Sequence, residues 1–164
     1  MMGPDQLGRL LDEHAAALVL YARQWCSAPD DVVQEAFIKL AAQNPTEPAP
    51  WLYKVVRNAA LSAARSERRR QRHEHEAASR ASVWFVPAEG KRLDEESATA
   101  ALRSLPKEQR EVIIAHLWGG LTFEQISQLM ATSSSTAHRS YLAGLSALRE
   151  RLGVPCPKTS ATGK

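Results

Sequence analysis

The 164-residue sequence contains little cysteine and no long apolar run. With only Cys26 and Cys156, a disulfide framework is not expected and a cysteine-based metal site would lack ligands, so Cys26 is predicted to be a small core residue. No stretch approaches the roughly 18 consecutive apolar residues of a membrane span. The first residues also lack the charged-then-apolar layout of a signal peptide. We therefore expect a cytoplasmic protein without membrane insertion.

The sequence also lacks the side-chain arrangements on which catalytic sites depend. It has no glycine-rich loop that would hold a phosphate, because the Gly119-Gly120 pair follows a predicted helix and ends it. The histidines are scattered except for His73 and His75, which are two residues apart on a predicted helix and so point to different faces. No Ser-His-Asp arrangement is evident. We expect neither enzymatic activity nor a cofactor or bound metal.

The charged residues are distributed unevenly along the chain, although the net charge is only +3. Residues 1–50 contain three Lys or Arg and seven Asp or Glu, whereas residues 51–76 contain seven Lys or Arg and three Asp or Glu. The basic block includes the run SERRRQR at residues 66–72. An ordinary solvated surface is one explanation of this run, but a basic stripe on a helix also suits phosphate binding.

In the first half of the chain, the periodicity of the apolar residues predicts three helices. The first helix is predicted from Leu7 to about Trp25. The second, from Asp30 to Ala42, has one apolar side and a separate strip of mixed polar and apolar residues. The prolines between Gln43 and Pro50 predict a short loop, and Pro50 suits the first turn of a third helix that extends to Arg72 with one basic side.

The second half of the chain has the pattern of a helix-turn-helix. A short helix ends near Leu105, and Pro106 starts the next one. Thr122 and Gln125 have the spacing of a capping box, in which the side chain of each bonds to the backbone of the other, so a further helix is predicted to begin there. After a polar turn, a final helix from about Ser135 to Leu152 would enter the major groove of DNA.

These elements predict an all-α fold of two small helical domains joined by a flexible linker. The domains are assigned to residues 5–76 and 96–153, and the second is the helix-turn-helix domain. Residues 77–95 between them are rich in small and charged residues and are interrupted by proline and glycine, which is typical of a linker. The short apolar patch Val83–Val86 is expected to lie against a flanking domain, with a partner-docking patch as the alternative. Residues 154–164 are predicted to be a disordered tail.

Three segments, in this order, resemble the signature segments of extracytoplasmic-function sigma factors, a group within the sigma-70 family. They are DVVQEAFIK at 31–39, WLYKVVRN at 51–58 and LPKEQREVI at 105–113. The resemblance covers residues 7–152 and implies a sigma factor that binds core RNA polymerase and directs promoter recognition. It also implies that the first domain is region 2-like, for polymerase docking and minus-10 binding, and that the second is region 4-like, for minus-35 binding.

The resemblance assigns roles to individual residues of this chain. On the second helix, a strip that would dock on the clamp helices of the polymerase's largest subunit consists of Asp31, Gln34, Glu35 and Ile38. Without the family match, an ordinary helix start with carboxylates that complement the helix dipole would be the simpler explanation of this strip. The residues implied at the minus-10 element are Trp51, Tyr53, Lys54, Arg57, Asn58, Arg65, Arg68 and Arg69. Those implied at the minus-35 element are Ser134, Ser135, Thr136, His138, Arg139 and Leu142.

The chemistry of these residue types agrees with the implied roles. Trp51 and Tyr53 have flat faces that can stack on unpaired bases, and the arginines can neutralise phosphates. A position in the core is the alternative for Trp51. On the docking strip, carboxylates and an amide beside one apolar side chain can pair with a basic coiled-coil surface.

Two departures from the family pattern concern DNA recognition. In the final helix, positions that are usually basic hold His138, Ser140 and Ala143, and the turn before this helix lacks its usual glycine. Fewer phosphate contacts predict a weaker affinity with a flatter salt dependence. The loop at residues 41–50 is shorter than its family counterpart and has no aromatic residue, so we expect a divergent promoter or a helper protein.

The partners implied by the resemblance are core RNA polymerase, through its clamp helices and flap region, and promoter DNA. An anti-sigma protein that wedges between the two domains is a further candidate. The main alternative is a stand-alone helix-turn-helix regulator that never joins the polymerase, and the segment at 31–39 argues against it. A pure protein-interaction module is the third possibility.

Overall fold

The computed structural model describes residues 1–73 and 100–153, and all regular elements in these ranges are helical. The first range contains α1 at Pro4–Ala22, α2 at Pro29–Gln43 and α3 at Pro48–His73. In the second range, α4 at Lys107–Ile113 continues into a π-helical turn at Ile114–Trp118, followed by α5 at Phe123–Met130 and α6 at Ser134–Leu152. The all-α prediction is confirmed. The predicted linker at 77–95, with its Val83–Val86 patch, and the predicted tail at 154–164 lie outside the described residues.

Helix α3 begins two residues earlier than the sequence predicted. Pro48 and Pro50 both lie in its first turn, where a missing N–H leaves no intrahelical hydrogen bond unmade. The backbone N–H of Trp51 donates to the carbonyl of Glu47 at 3.2 Å. At the end of α2, Asn44 adopts a left-handed conformation with φ of 44°. The predicted loop between Gln43 and Pro50 is therefore reduced to the few residues that separate α2 from α3.

Helices α5 and α6 form the predicted helix-turn-helix. Thr122 Oγ1 accepts from the backbone N–H of Gln125 at 3.2 Å, and Gln125 Oε1 accepts from the backbone N–H of Thr122 at 2.9 Å, so the capping box is confirmed. In the turn, Ala131 has a φ of 53°, a left-handed conformation that favours glycine. The side chain of Ser133 accepts from the backbone N–H of Thr136, and this cap starts α6 one residue earlier than predicted.

One hydrophobic core joins the two described ranges. Helices α1, α2 and α3 pack on one another, α4 and α5 pack on α6, and the two groups meet where the π-helical turn contacts α1 and where α5 contacts α3. The fully buried side chains come from both groups and include Tyr21, Leu40, Leu52, Tyr53, Ile113, Leu121 and Ile126. Cys26 is buried, as predicted. Leu152, the last residue of α6, is 42% exposed.

Candidate polymerase and promoter interfaces

The first candidate interface lies on α2. Val33, Phe37 and Leu40 are buried on one side of this helix, which packs on α1 and α3. The four residues assigned to polymerase docking, called the docking strip from here on, are all exposed, and they are Asp31, Gln34, Glu35 and Ile38. Glu35 forms a 2.8 Å ion pair with Lys39 one turn later, and a pair of this exposure is weak. The docking strip therefore presents two carboxylates, an amide and an isoleucine to solvent.

An apolar groove between α1 and α2 borders the docking strip. Leu7, Leu11 and Val19 of α1 line it on one side, and Phe37 and Ile38 of α2 line it on the other. Leu11 follows Leu7 by one helical turn and is 46% exposed, because none of the described helices lies over this groove. Ile38 belongs to both surfaces and is 65% exposed. The docking strip is thus continuous with an apolar surface that sequence reasoning did not find.

The second candidate interface is the basic side of α3. Five of the eight residues assigned to the minus-10 element are exposed on this helix, and they are Lys54, Asn58, Arg65, Arg68 and Arg69. Lys54, Asn58 and Arg65 are spaced by four and seven residues, so they share one face. Cations along one helix face can neutralise successive phosphates of a nucleic-acid backbone. The structure therefore brings together the exposed part of the predicted set.

Arg57, also assigned to the minus-10 element, lies instead where the two halves of the molecule meet. The first half consists of α1, α2 and α3, and the second consists of α4, the π-helical turn, α5 and α6. Its Nε donates to Oε1 of Glu111 at 2.6 Å, and the hydroxyl of Tyr21 donates to the same oxygen at 2.6 Å. Glu111 is only 4% exposed. Burial opposes the charged guanidinium, but the hydrogen bond and the negative charge of Glu111 outweigh that effect and raise the pKa of Arg57. Burial, followed by the charge of Glu111, strongly raises the pKa of Tyr21.

Tyr53 is fully buried beside this contact. Its ring meets Tyr21 edge-on, with 4.9 Å between the ring centroids. Gly119 packs directly on it from the other half, since a Cβ on Gly119 would lie 2.5 Å from the Tyr53 hydroxyl oxygen. Burial raises the pKa of this phenol. A base-stacking role for Tyr53 therefore requires the two halves to separate, which sequence reasoning did not foresee.

A cleft between the halves contains Trp51 and Lys54. The cleft is also lined by Pro50 of α3, by the loop before α3 with Glu47, and by α5 with Gln125 and Leu129. Gln125 Nε2 donates to Glu47 Oε1 across the cleft at 3.4 Å. Trp51 is partly buried and packs against the hydrophobic core. This packing agrees in part with the alternative that Trp51 is a core residue.

The third candidate interface is the outer side of α6. Five of the six residues assigned to the minus-35 element are exposed, and they are Ser134, Ser135, His138, Arg139 and Leu142. The sixth, Thr136, is partly buried, and its hydroxyl accepts from Ser133 at 2.8 Å and from Arg139 at 3.3 Å. Thr136 therefore takes part in the helix cap, and the other five form an exposed face on the predicted recognition helix.

Aromatic rings of α5 and of the π-helical turn pack against this predicted recognition helix. The ring of Phe123 on α5 stacks on His116 at 4.3 Å and meets Tyr141 and His138 of α6 edge-on at 5.4 Å and 4.9 Å. His116 also forms a 2.8 Å hydrogen bond through Nδ1 with the carbonyl oxygen of Leu121. These contacts fix the position of α6 relative to α5, and the contact of His138 with Phe123 ties the exposed face of α6 to α5.

Neither a metal centre nor a membrane span is found in the described ranges. Among residues 1–73 and 100–153, no three His, Cys, Asp or Glu side chains lie close enough together to hold a metal ion. No helix in the same ranges has both the length and the apolarity to cross a membrane.

Two family models match the chain. The model for sigma-70 region 2 matches residues 10–70, and the model for sigma-70 region 4 matches residues 95–148. Together they include all three segments on which the family resemblance was based. No curated protein sequence matches the chain significantly.

Two solved structures are similar to the chain over most of its length. The sigma factor RpoE from Bartonella quintana, in complex with the anti-sigma factor NepR, is 25% identical, with a TM-score of 0.73 over 94% of this chain and 100% of that one. CnrH, in complex with the cytosolic domain of CnrY, is 20% identical, with a TM-score of 0.60 over 94% of this chain and 92% of that one. The predicted fold of two helical domains is confirmed. The chain belongs to the extracytoplasmic-function group of the sigma-70 family and is a sigma factor that directs promoter recognition.

Proposed function

We propose that this sigma factor binds the clamp helices of the largest polymerase subunit through the docking strip on α2. The main support is that the four side chains of one family segment share a single exposed surface. Its two carboxylates are suited to a basic partner, and Ile38 supplies an apolar contact that would be desolvated on binding. The helix-turn-helix half would reach the flap region of the polymerase. The protein would act in the cytoplasm with its polymerase and would catalyse no reaction itself.

For promoter DNA, we propose that α3 contacts the minus-10 element and α6 the minus-35 element. The exposed arginines of α3 have the charge and spacing for phosphate contacts. On α6, Ser134, Ser135 and His138 can form hydrogen bonds with base edges. Leu142 can make an apolar contact with a base. Arg139 is the only cation among the six assigned residues, so sequence specificity there would depend little on charge.

An anti-sigma protein is the further partner that we propose. The support comes from RpoE, which forms a complex with the anti-sigma factor NepR and shares this fold over nearly the whole chain. A candidate inhibitor is tested by adding it to the sigma factor before core polymerase and measuring whether the holoenzyme still forms.

Polymerase docking can be tested with a charge reversal on the docking strip. Asp31 is the best target, because it forms no ion pair within residues 1–73 and 100–153, whereas Glu35 is paired with Lys39. We expect Asp31→Lys to weaken binding to core polymerase by about tenfold or more, since a positive charge would then oppose a basic surface. The measurement is the dissociation constant of the complex with purified core polymerase.

Glu13→Lys is the matched control for this experiment. Glu13 is an exposed carboxylate on α1, two residues beyond Leu11 and therefore on the opposite side of the helix from the groove. Its reversal should leave binding unchanged. If the two variants bind core polymerase equally well, the docking strip is not the interface. If the wild-type protein binds promoter duplex equally well with and without polymerase, the chain acts instead as a stand-alone regulator.

A further inference from the structure

The carboxylate of Glu111 belongs to one half of the molecule, but both of its partners belong to the other. Tyr21 is on α1 and Arg57 is on α3, and each donates to Oε1 at 2.6 Å. A carboxylate that is 4% exposed is strongly unfavourable unless it is paired and hydrogen-bonded. The buried carboxylate of Glu111 is therefore stabilised by these two hydrogen bonds only while the two halves are packed together.

The same contact covers the beginning of the promoter-binding helix. Tyr53 is enclosed by Tyr21 and by the backbone at Gly119, and Arg57 is held by Glu111. Trp51 and Lys54 line the cleft that Gln125 and Glu47 bridge. By contrast, the other five members of the predicted set are exposed, including Lys54 beside the cleft, and they are Lys54, Asn58, Arg65, Arg68 and Arg69. The members of the minus-10 set that pack against the second domain are therefore both aromatic residues and Arg57.

We propose that Glu111 is an internal competitor of promoter DNA that holds the sigma factor in a closed conformation. This inference rests on the proposed role of α3 in DNA binding. A carboxylate and a phosphate offer a guanidinium the same kind of anionic oxygen acceptor, so Arg57 can satisfy only one of them through Nε. When the halves separate, Glu111 returns to water, Arg57 loses its carboxylate partner, and the hydroxyl end of Tyr53 is no longer covered by Gly119.

Glu111→Gln should shift this equilibrium toward the open form. The glutamine keeps the shape and the acceptor oxygen, but it leaves the partly buried guanidinium without a counter-charge in the closed form only. In the open form the side chain is solvated, so the substitution has little effect there. We expect the open fraction to rise about tenfold, and the apparent affinity for any partner that needs the open form should rise in proportion.

Glu108→Gln is the matched control, because Glu108 lies on the same helix, carries the same charge and is exposed. The first measurement is amide hydrogen exchange of the full-length protein, which needs neither polymerase nor DNA. Glu111→Gln should accelerate exchange in the π-helical turn by about tenfold relative to wild type and to Glu108→Gln. The second is the sigma concentration that gives half-maximal transcription at fixed core polymerase and promoter, which should fall about tenfold. A merely structural role for Glu111 would raise that concentration instead.

Tyr21→Phe provides a second route if Glu111→Gln does not fold. It removes one hydrogen bond to Glu111 but keeps the ring, and a smaller change in the same direction is expected in both measurements. Equal exchange rates in the folded Glu111 variant, the Tyr21 variant and wild type would overturn the closed-state proposal, whatever the transcription result. Failure of the wild-type protein to join core polymerase would overturn the proposed function, and the exchange data would still decide on the closed form.

Discussion

The docking strip on α2 and the proposed promoter-binding side of α3 differ in what covers them. All four residues of the docking strip are exposed, whereas Tyr53 is fully buried and Arg57 is paired with Glu111 of the other half. Both surfaces were assigned by the same kind of family resemblance and the same helical periodicity. The difference shows that periodicity identifies residues on one helix face, but it does not tell which other part of the chain packs on that face.

The difference also has a consequence for the order of events during initiation. If the exposed docking strip binds the polymerase as proposed, it can do so while the two halves are still packed together. If Tyr53 and Arg57 contact the minus-10 element as proposed, that contact has to wait for the separation of the halves. Docking followed by opening is therefore the sequence of steps that this packing favours.

Among the experiments that test this comparison, locking the two halves together should have the largest effect on transcription. Glu47 and Gln125 touch across the cleft at 3.4 Å, so cysteines at both positions can be joined by a short, cleavable bis-maleimide in a Cys156→Ser background. We expect the locked protein to retain core-polymerase binding but to lose promoter-dependent transcription by well over tenfold. Cleavage of the linker should restore activity. The two single-cysteine variants treated in the same way are the controls, and full transcription by the locked protein would contradict the closed-state interpretation.

Removing the exposed arginines of α3 should have the next largest effect. The triple variant Arg65→Ala, Arg68→Ala and Arg69→Ala leaves the covered part of the helix unchanged. If these side chains bind phosphates, promoter affinity of the holoenzyme should fall, and the salt dependence should flatten by about 0.7–0.9 in log–log slope for each phosphate that is no longer neutralised. Filter binding over a range of salt concentrations measures both. Arg9→Ala on α1 is the control, and an unchanged slope in the triple variant would exclude phosphate binding by this part of α3.

The smallest effect is expected from the turn of the helix-turn-helix. Ala131 adopts a left-handed conformation, which costs an alanine about 1–2 kcal/mol relative to glycine. Because glycine also gains flexibility in the unfolded chain, Ala131→Gly should stabilise the protein by about 1 kcal/mol or less. Thermal unfolding measures this. Because one core spans both halves, the hydrogen-exchange rates of protected amides in α1 and in α5 should decrease together. A decrease confined to α5 would show that the halves unfold separately.

Much of the secondary structure was predictable because its signals are local. Thr122 and Gln125 are three residues apart, so the capping box they form depends on no distant part of the chain. The start of α3 was misplaced because two prolines, Pro48 and Pro50, can both occupy a first turn, and the sequence does not tell which one begins it. The docking strip was predictable because its exposure follows from the side of α2 that α1 and α3 bury.

The sequence by itself determined the helices, their caps and the family segments, because each depends on residues a few positions apart. Only the tertiary structure decided that Glu111 meets Arg57, 54 positions earlier in the chain, and Tyr21, 90 positions earlier. It also decided that Leu11 borders an open groove while Tyr53 is enclosed. The physical reason is that a buried ion pair and a covered aromatic ring are properties of two surfaces in contact, and the periodicity of one helix contains no information about the surface that packs against it.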